Sequence, residues 1–226
     1  MDRIPEPELM DDEAQAHAYA AADFSEPHER FVALLRERLA DLDEKGCALD
    51  LGCGPADVTI RLARVLPGWT IDGIDGSAPM LRLGRVAVAR ARLAERITLR
   101  HGRLPDTEPP RVRYDLVLSN SLLHHLADPL VLWGCVRRFA RATGAVFVMD
   151  LARPASREEA QRLVDRHAAG EPEVLRRDFY NSLLAAYTPE EVRAQLARAG
   201  LGALAVEVVS DRHWIACGDA APDPAR

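Results

Sequence analysis

The sequence predicts an α/β fold built on a doubly wound, mostly parallel sheet that ends in an antiparallel hairpin. Short apolar runs alternate along the chain with segments of helical periodicity. Such alternation is typical of a parallel sheet covered by helices on both faces. Only residues 210–212 separate the last two apolar runs, and a connection that short joins antiparallel strands.

The apolar runs that carry the strand pattern lie at residues 47–51, 70–75, 96–102, 114–120, 144–151, 201–209 and 213–218. The helical segments lie at residues 28–42, 56–66, 78–94, 128–141, 156–169 and 188–200, with a further short apolar segment at 179–186.

Capping residues support several helix starts. Ser77 and Asp128 can each accept a hydrogen bond from a free backbone N–H, and Thr188 with Glu191 forms a capping-box pattern.

Composition excludes several classes of protein. The chain has 226 residues, a length that fits one domain with a substantial core. Its 48% hydrophobic and 28% charged residues indicate a globular chain. The net charge of −6 argues against a protein that binds nucleic acid mainly through charge. Nearly all basic residues are Arg, which we attribute to GC-rich codon usage because acidic residues are interspersed among them.

The N-terminus and the cysteines predict a cytoplasmic protein. The first residues are acidic and lack an apolar core, so we expect no signal peptide. No stretch approaches the ~18 apolar residues of a transmembrane helix. The cysteines lack zinc-binding spacing, and we expect reduced, buried thiols. They are Cys47, Cys53, Cys135 and Cys217.

We divide the chain into three parts. Residues 1–27 are polar and rich in Ala and Pro, which predicts a loose segment with a short helix around 14–22. The whole segment 1–27 is a candidate lid. Residues 28–218 hold the α/β domain. Residues 219–226 predict a flexible tail.

The first turn from strand to helix carries the strongest functional signal. Gly52, Cys53 and Gly54 follow a strand that ends near Asp50. Glycines let a ligand approach the backbone, and the free N–H groups of a helix start favour a polar or anionic ligand. The Gly-Lys-Ser/Thr sequence of a P-loop is absent, and Asp57 replaces the small residue of a dinucleotide fingerprint.

This turn resembles the first motif of class I S-adenosylmethionine (SAM) dependent methyltransferases. The pattern Asp-x-Gly-x-Gly-x-Gly matches at Asp50, Gly52 and Gly54, with Ala56 in the third glycine position. The resemblance implies a Rossmann-like sheet of seven strands, whose last two correspond to the C-terminal hairpin. It also implies SAM as the cofactor.

Later segments follow in the family's order. Asp75, with Gly76 and Met80, resembles the second motif, in which a carboxylate accepts hydrogen bonds from ribose hydroxyls. Gly102 and Arg103 occupy the place of the third motif. There Arg103 replaces the usual Asp and cannot accept a hydrogen bond.

Residues 114–129 resemble the fourth motif of the type 11 and type 12 methyltransferase domains. Asn120 lies at the end of the strand in this segment. The resemblance places it with Cys53, Gly76 and the other motif residues around the cofactor.

The resemblance implies methyl transfer to the O, N or S nucleophile of a small molecule. Alignment of nucleophile and methyl group is the main requirement, and a base is needed where the nucleophile still carries its proton. His125 and, second, His124 are the candidate bases, because the pKa of His lies near neutrality. We expect no metal site, since adjacent helical residues point apart.

Four residues are candidates for binding the substrate. Asp150 and Arg153 follow the fifth strand, at the edge of the sheet where the crevice is expected. Tyr19 and Tyr180 lie in segments that commonly cover the site in the family. We expect no membrane partner, and the sequence leaves the oligomeric state open.

Alternative functions remain open. A SAM-binding regulatory protein without catalysis is favoured by Ala56, by Arg103 and by the lack of a decisive base. A nicotinamide oxidoreductase is disfavoured by Asp57. Methylation of a nucleic acid is the alternative substrate class, and salt-sensitive binding of tRNA or DNA is its sign.

Overall fold

The computed structural model describes residues 1–6 and 12–220, apart from the side chains of residues 14, 15 and 21. Within this part of the chain the strands are β1 (Gly46–Leu51), β2 (Trp69–Asp75), β3 (Ile97–His101), β4 (Tyr114–Asn120), β5 (Ala140–Leu151), β6 (Ala205–Val208) and β7 (His213–Asp219). The helices are α1 (Glu13–Ala21), α2 (Ser25–Arg38), α3 (Asp57–Val65), α4 (Ala78–Arg90), α5 (Leu130–Phe139), α6 (Arg157–His167), α7 (Glu173–Ala185) and α8 (Pro189–Ala199), with a 3-10 helix at Leu123–His125. From residue 221 onward, the predicted tail lies outside the described residues.

The strands form one sheet in the order β3-β2-β1-β4-β5-β7-β6. Strands β1 to β5 pair in parallel, whereas β7 runs antiparallel to β5 and β6. This confirms the predicted doubly wound sheet and its antiparallel C-terminal hairpin. The strand order reverses between β1 and β4, and ligands of open α/β sheets bind at the carboxyl ends of the strands beside such a reversal.

Alternate side chains of β1 face two separate cores. Leu49 and Leu51 pack on the same side as Trp133 of α5. Ala48 belongs to the opposite core, which includes Phe31 of α2. Helices therefore cover both faces of the sheet, as the sequence predicts. The tryptophans are fully buried.

A smaller core joins α6 and α7 to the end of β5. Leu151 packs there with Leu163 of α6 and Leu183 of α7. Helix α7 is longer than the short apolar segment predicted at 179–186. Pro172 immediately precedes its first turn. Proline is common at helix starts, so Pro172 was a usable signal for the start of α7.

Ser77 and Thr188 cap their helices as predicted, whereas Pro129, and not Asp128, is the N-cap of α5. Ser77 accepts a hydrogen bond from Met80 N, and Thr188 with Glu191 completes the capping box. The Asp128 carboxylate accepts from the N–H of Leu130 at 2.9 Å, although α5 begins only at that residue. These contacts fix where α4, α5 and α8 start relative to the sheet.

Some boundaries differ from the predictions by a few residues. Helix α2 begins at Ser25, whose backbone N–H donates to the Asp23 carboxylate at 2.9 Å, and it ends before the predicted residue 42. Strand β5 starts earlier than predicted. Strand β6 starts later, because Leu204 N donates to Leu201 O in a turn.

Two further expectations concern the cysteines and membranes. All four cysteines are buried and free, as the sequence predicts. None of the helices in the described part of the chain is long and apolar enough to cross a membrane.

Phe31 tests the contact between α2 and the sheet. Its ring meets that of Phe147 edge-on, with centroids 5.0 Å apart at 88°. Phe31→Ala removes a fully buried ring and lowers the free energy of unfolding by about 3–5 kcal/mol. Val86 is 50% exposed on α4, and Val86→Ala changes this free energy by less than about 0.5 kcal/mol. Urea denaturation measures both, and equal losses would contradict the assignment.

Candidate active site

A cavity of about 500 Å³ opens at the carboxyl ends of β1, β2 and β4. Tyr19 of α1, Phe24 before α2 and Phe179 of α7 contribute to its wall opposite the strand ends. The volume lies within the range of about 300–1,000 Å³ that is typical of small-molecule sites. The structure therefore places a cavity where the sheet topology predicts a ligand.

The glycine turn lies against this cavity. Gly52 and Gly54 have positive φ values of 76° and 50°. A Cβ at Gly52 would meet Leu122 at 2.8 Å, whereas a Cβ at Gly54 would meet nothing within 4 Å. Gly54 thus leaves space on the cavity side that a side chain would occupy. Ala56, in the third glycine position, also adopts φ 66° and keeps this turn shape at a cost of roughly 1–2 kcal/mol.

Asp50 is a buried carboxylate at the base of the turn. It is 2% exposed, and its Oδ2 accepts a hydrogen bond from Thr59 Oγ1 at 2.6 Å. Burial is the main cause that raises the pKa of Asp50 to about 7; the Thr59 hydrogen bond opposes the shift and the charge of Asp75 adds to it. A cationic ligand group beside Asp50 would relieve this cost.

Asp75 links the glycine turn to the start of α4. Its Oδ2 accepts from Gly54 N at 2.7 Å, and its Oδ1 accepts from Ser77 N at 2.7 Å. Both carboxylate oxygens therefore face backbone N–H groups of the two turns. Gly76 and Met80 lie beside it in the cavity wall, where the sequence analysis places them.

Asn120 lies at the end of β4 in the same wall. Its Oδ1 atom is shielded from solvent and accepts no hydrogen bond from any residue that the structure describes. An unsatisfied buried acceptor costs free energy, and a ligand donor would remove that cost. Gly102 and Arg103 also line the cavity, and Gly102 N donates to Asp75 O at 2.9 Å.

His124 lies between two carboxylates. Its Nδ1 is 2.5 Å from Asp150 Oδ1, and its Nε2 is 3.5 Å from Glu6 Oε1. Burial by itself lowers the pKa of His124, but the charge and hydrogen bond of Asp150 together with the charge of Glu6 raise it above the ordinary value. The pair therefore favours an imidazolium at His124, which limits its use as a base.

His125 lies in the cavity wall beside His124. The two ring centroids are 4.2 Å apart, and His125 Nδ1 is 3.2 Å from Glu6 Oε1. With 14% of its side chain exposed, His125 is more accessible than His124 at 3%. In the 3-10 helix both rings turn toward Glu6, so the premise that adjacent histidines point apart is wrong here.

Of the predicted substrate residues, Tyr19 lies in the cavity wall, with its ring centroid 4.6 Å from that of Phe24. Burial, with the charges of Asp57 and Asp75, raises the pKa of Tyr19 to about 12, so its phenol stays neutral. Asp150 is not among the described residues that line the cavity. It accepts from Leu123 N at 2.6 Å and holds the 3-10 helix.

Arg153 and Tyr180 also lie outside the described cavity lining. Arg153 donates to Ala186 O at 3.1 Å and to Glu191 at 2.6 Å, so it braces α8. Tyr180 packs against the small core of α6 and α7. The structure thus gives both residues structural contacts in place of the predicted approach to the crevice.

The structure adds residues that the sequence analysis did not single out. Thr59 supports Asp50, and Glu6 reaches both histidines. Ser182 of α7 donates to Glu6 Oε1 at 3.0 Å. The position of Thr59 early in α3, directly after the glycine turn, was a usable signal. Glu6 lies in an acidic segment without periodicity, and nothing in that segment indicates the contact.

The chain is similar to methyltransferases both in fold and, over part of its length, in sequence. A SAM-dependent methyltransferase structure from Aquifex aeolicus matches with a TM-score of 0.67 at 16% identity, covering 91% of this chain and 97% of that one. Residues 49–146 match the sequence model of a methyltransferase domain. This part of the chain is thus similar to a methyltransferase domain. The matched residues include the glycine turn, Asp75 and Asn120.

Curated relatives of this chain match over part of their length. An uncharacterised methyltransferase of Mycobacterium tuberculosis is 32% identical over 124 residues, which cover 55% of this chain and 60% of that protein. A trans-aconitate 2-methyltransferase of Delftia acidovorans is 36% identical over 126 residues, covering 55% and 44%. The chain thus spans about half the length of these relatives.

The raised pKa of Asp50 predicts a specific pH dependence of stability. The folded protein holds this proton more tightly than the unfolded chain, so ionisation of Asp50 destabilises the fold progressively as pH rises toward about 7, and fully above it. Asp50→Asn removes this dependence. The stability of the variant relative to the parent increases by about 2 kcal/mol between pH 5.5 and 8.

Urea denaturation of both proteins at the two pH values measures this difference. Titrating groups that do not interact with Asp50 contribute equally to the two proteins and cancel. A difference that does not change with pH would contradict the buried, proton-binding state of Asp50.

Proposed function

We propose that this protein transfers a methyl group from SAM to the O, N or S nucleophile of a small molecule. The observation that carries the proposal is the grouping of Asp50, Asp75, Asn120 and the open face of Gly54 around one cavity of a methyltransferase domain. These groups complement a ligand that is cationic at one end and carries hydroxyls and hydrogen-bond donors elsewhere.

In this proposal each group meets a different part of SAM. The Asp75 carboxylate, already oriented by Gly54 N and Ser77 N, accepts from ribose hydroxyls. Asp50 faces the positively charged end of the cofactor, where an opposite charge favours its ionised form. Met80 packs near the adenine, and Cys53, Gly76, Gly102 and Arg103 complete the surrounding wall.

The acceptor then occupies the part of the cavity near α1 and α7. Tyr19, Phe24 and Phe179 offer aromatic surface there, and His125 and Ser182 offer polar groups. Aromatic and apolar walls with a few polar groups are typical of small-molecule sites. The name of the Delftia acidovorans relative, a trans-aconitate 2-methyltransferase, also points to a small-molecule acceptor.

The two histidines take different parts in the proposed reaction. His125 is the more accessible ring and is the candidate base for an acceptor that still carries its proton. His124, held by Asp150, keeps the 3-10 helix and its neighbour in position. Alignment of the acceptor with the methyl group supplies the rest of the rate acceleration.

Gly54→Ala tests the cofactor site. The added methyl group projects into the space assigned to SAM, so we expect the Kd for SAM to rise at least tenfold, while stability falls by only about 1–2 kcal/mol from the left-handed backbone. Isothermal titration with SAM and S-adenosylhomocysteine measures the affinity. Gly134→Ala is the matched control, because its Cβ also meets no atom within 4 Å but lies on α5.

Two outcomes of this titration would count against the cofactor site. One is a parent protein that binds neither ligand at millimolar concentration. The other is an affinity that Gly54→Ala and Gly134→Ala change equally.

His125→Gln tests catalysis separately from binding. With an acceptor whose nucleophile is protonated, loss of the base lowers kcat by about 10²–10⁴-fold and leaves the Kd for SAM unchanged. Formation of S-adenosylhomocysteine across a panel of phenols, carboxylic acids, thiols and amines identifies the acceptor. Val112→Ala, at an 84% exposed position, is the control.

The same panel separates the alternatives. SAM binding without transfer to any acceptor favours a non-catalytic SAM-binding protein. Salt-sensitive binding of tRNA or DNA with methyl transfer to it favours a nucleic-acid substrate.

A further inference from the structure

We propose that Glu6, His124 and His125 bind one divalent transition-metal ion such as Zn²⁺. Each side chain offers one ligand atom, and these three atoms lie within 4.8 Å of one another. The residues come from the N-terminal segment and from the 3-10 helix after β4. The inference concerns ion binding alone and does not depend on the identity of the methyl donor.

The spacing of the ligand atoms suits a small ion. Glu6 Oε1 is 3.5 Å from His124 Nε2 and 3.2 Å from His125 Nδ1. Ligand atoms bound about 2.0–2.1 Å from Zn²⁺ at tetrahedral angles are about 3.3–3.4 Å apart. The two measured distances bracket that value, so the Glu6 oxygen already lies at a suitable distance from each imidazole nitrogen.

Partners behind the ligands fix their orientation. Asp150 Oδ1 lies 2.5 Å from His124 Nδ1, so the Nε2 atom is the one turned toward Glu6. Leu123 N in turn donates to Asp150 Oδ2 at 2.6 Å. A carboxylate on the second nitrogen of a metal-binding histidine is a common arrangement, because it sets the tautomer and makes the ligand more basic.

The carboxylate ligand is also held in place. Ser182 Oγ donates to Glu6 Oε1 at 3.0 Å. Arg3 donates to His124 O at 2.8 Å and to Ala185 O at 2.6 Å. The N-terminal segment is thus anchored to the same short helix that carries both histidines, and Glu6 stands at a defined distance from them.

The donor set indicates the class of ion. Two imidazole nitrogens with one carboxylate oxygen suit Zn²⁺ and neighbouring first-row ions better than Mg²⁺ or Ca²⁺, which prefer oxygen ligands. The carboxylates of Glu6 and Asp150 favour positive charge at His124, and an ion on its Nε2 atom would replace the proton there while Asp150 keeps the hydrogen bond to Nδ1. Both histidines line the cavity, so water or a cavity ligand can occupy the remaining coordination positions.

Titration with Zn²⁺ and Co²⁺ tests the site, using chelator-treated protein without a polyhistidine tag. We expect one ion per chain with a Kd in the micromolar range or tighter, and Co²⁺ absorption bands of nitrogen and oxygen ligation. Glu6→Gln keeps the side-chain length and raises the Kd at least tenfold. His17→Gln, which removes an exposed imidazole of α1, leaves the Kd unchanged.

Thermal melting checks that each variant folds. If Glu6→Gln does not fold, His125→Asn replaces it as the variant that lacks one ligand. Loss of one bound ion in either folded variant supports the site. A stoichiometry other than one, the same Kd in Glu6→Gln and His17→Gln, or Co²⁺ bands of thiolate ligation would overturn it.

Discussion

The Asp75 carboxylate joins the two turns on which the site is built. By accepting hydrogen bonds from Gly54 N and Ser77 N, it ties the β1–α3 turn to the start of α4. Both turns follow neighbouring parallel strands, β1 and β2. Charge-assisted bonds to backbone N–H groups are stronger than neutral ones. The Asp75 side chain therefore fixes the glycine turn relative to the start of α4.

The ionised form of Asp50 is disfavoured in its buried position. Its burial raises the pKa to about 7, and the nearby Asp75 adds to the shift. Asn120, across the cavity wall, leaves an acceptor without a partner among the described residues. Both features cost stability, and a cationic ligand with hydrogen-bond donors would reduce that cost. Such costs are typical of functional sites rather than of structural cores.

The sequence predicted the sheet and the residues that line the cavity at the ends of β1 and β2, because both depend on local patterns. Apolar alternation located the strands, and Gly52, Gly54 and Asp75 occupy motif positions within them. It did not predict which side chains reach the cavity from distant segments. Glu6 meets the histidines through a contact that no periodicity encodes, and Arg153 donates to Glu191, a partner 38 residues away in the sequence.

Difference electron density from a crystal soaked with S-adenosylhomocysteine shows directly where the cofactor product binds. We expect density along the glycine turn, with the ribose hydroxyls within hydrogen-bond distance of the Asp75 carboxylate and the amino-acid end toward Asp50. Density elsewhere, or an empty turn at a saturating concentration of the ligand, would contradict this expectation.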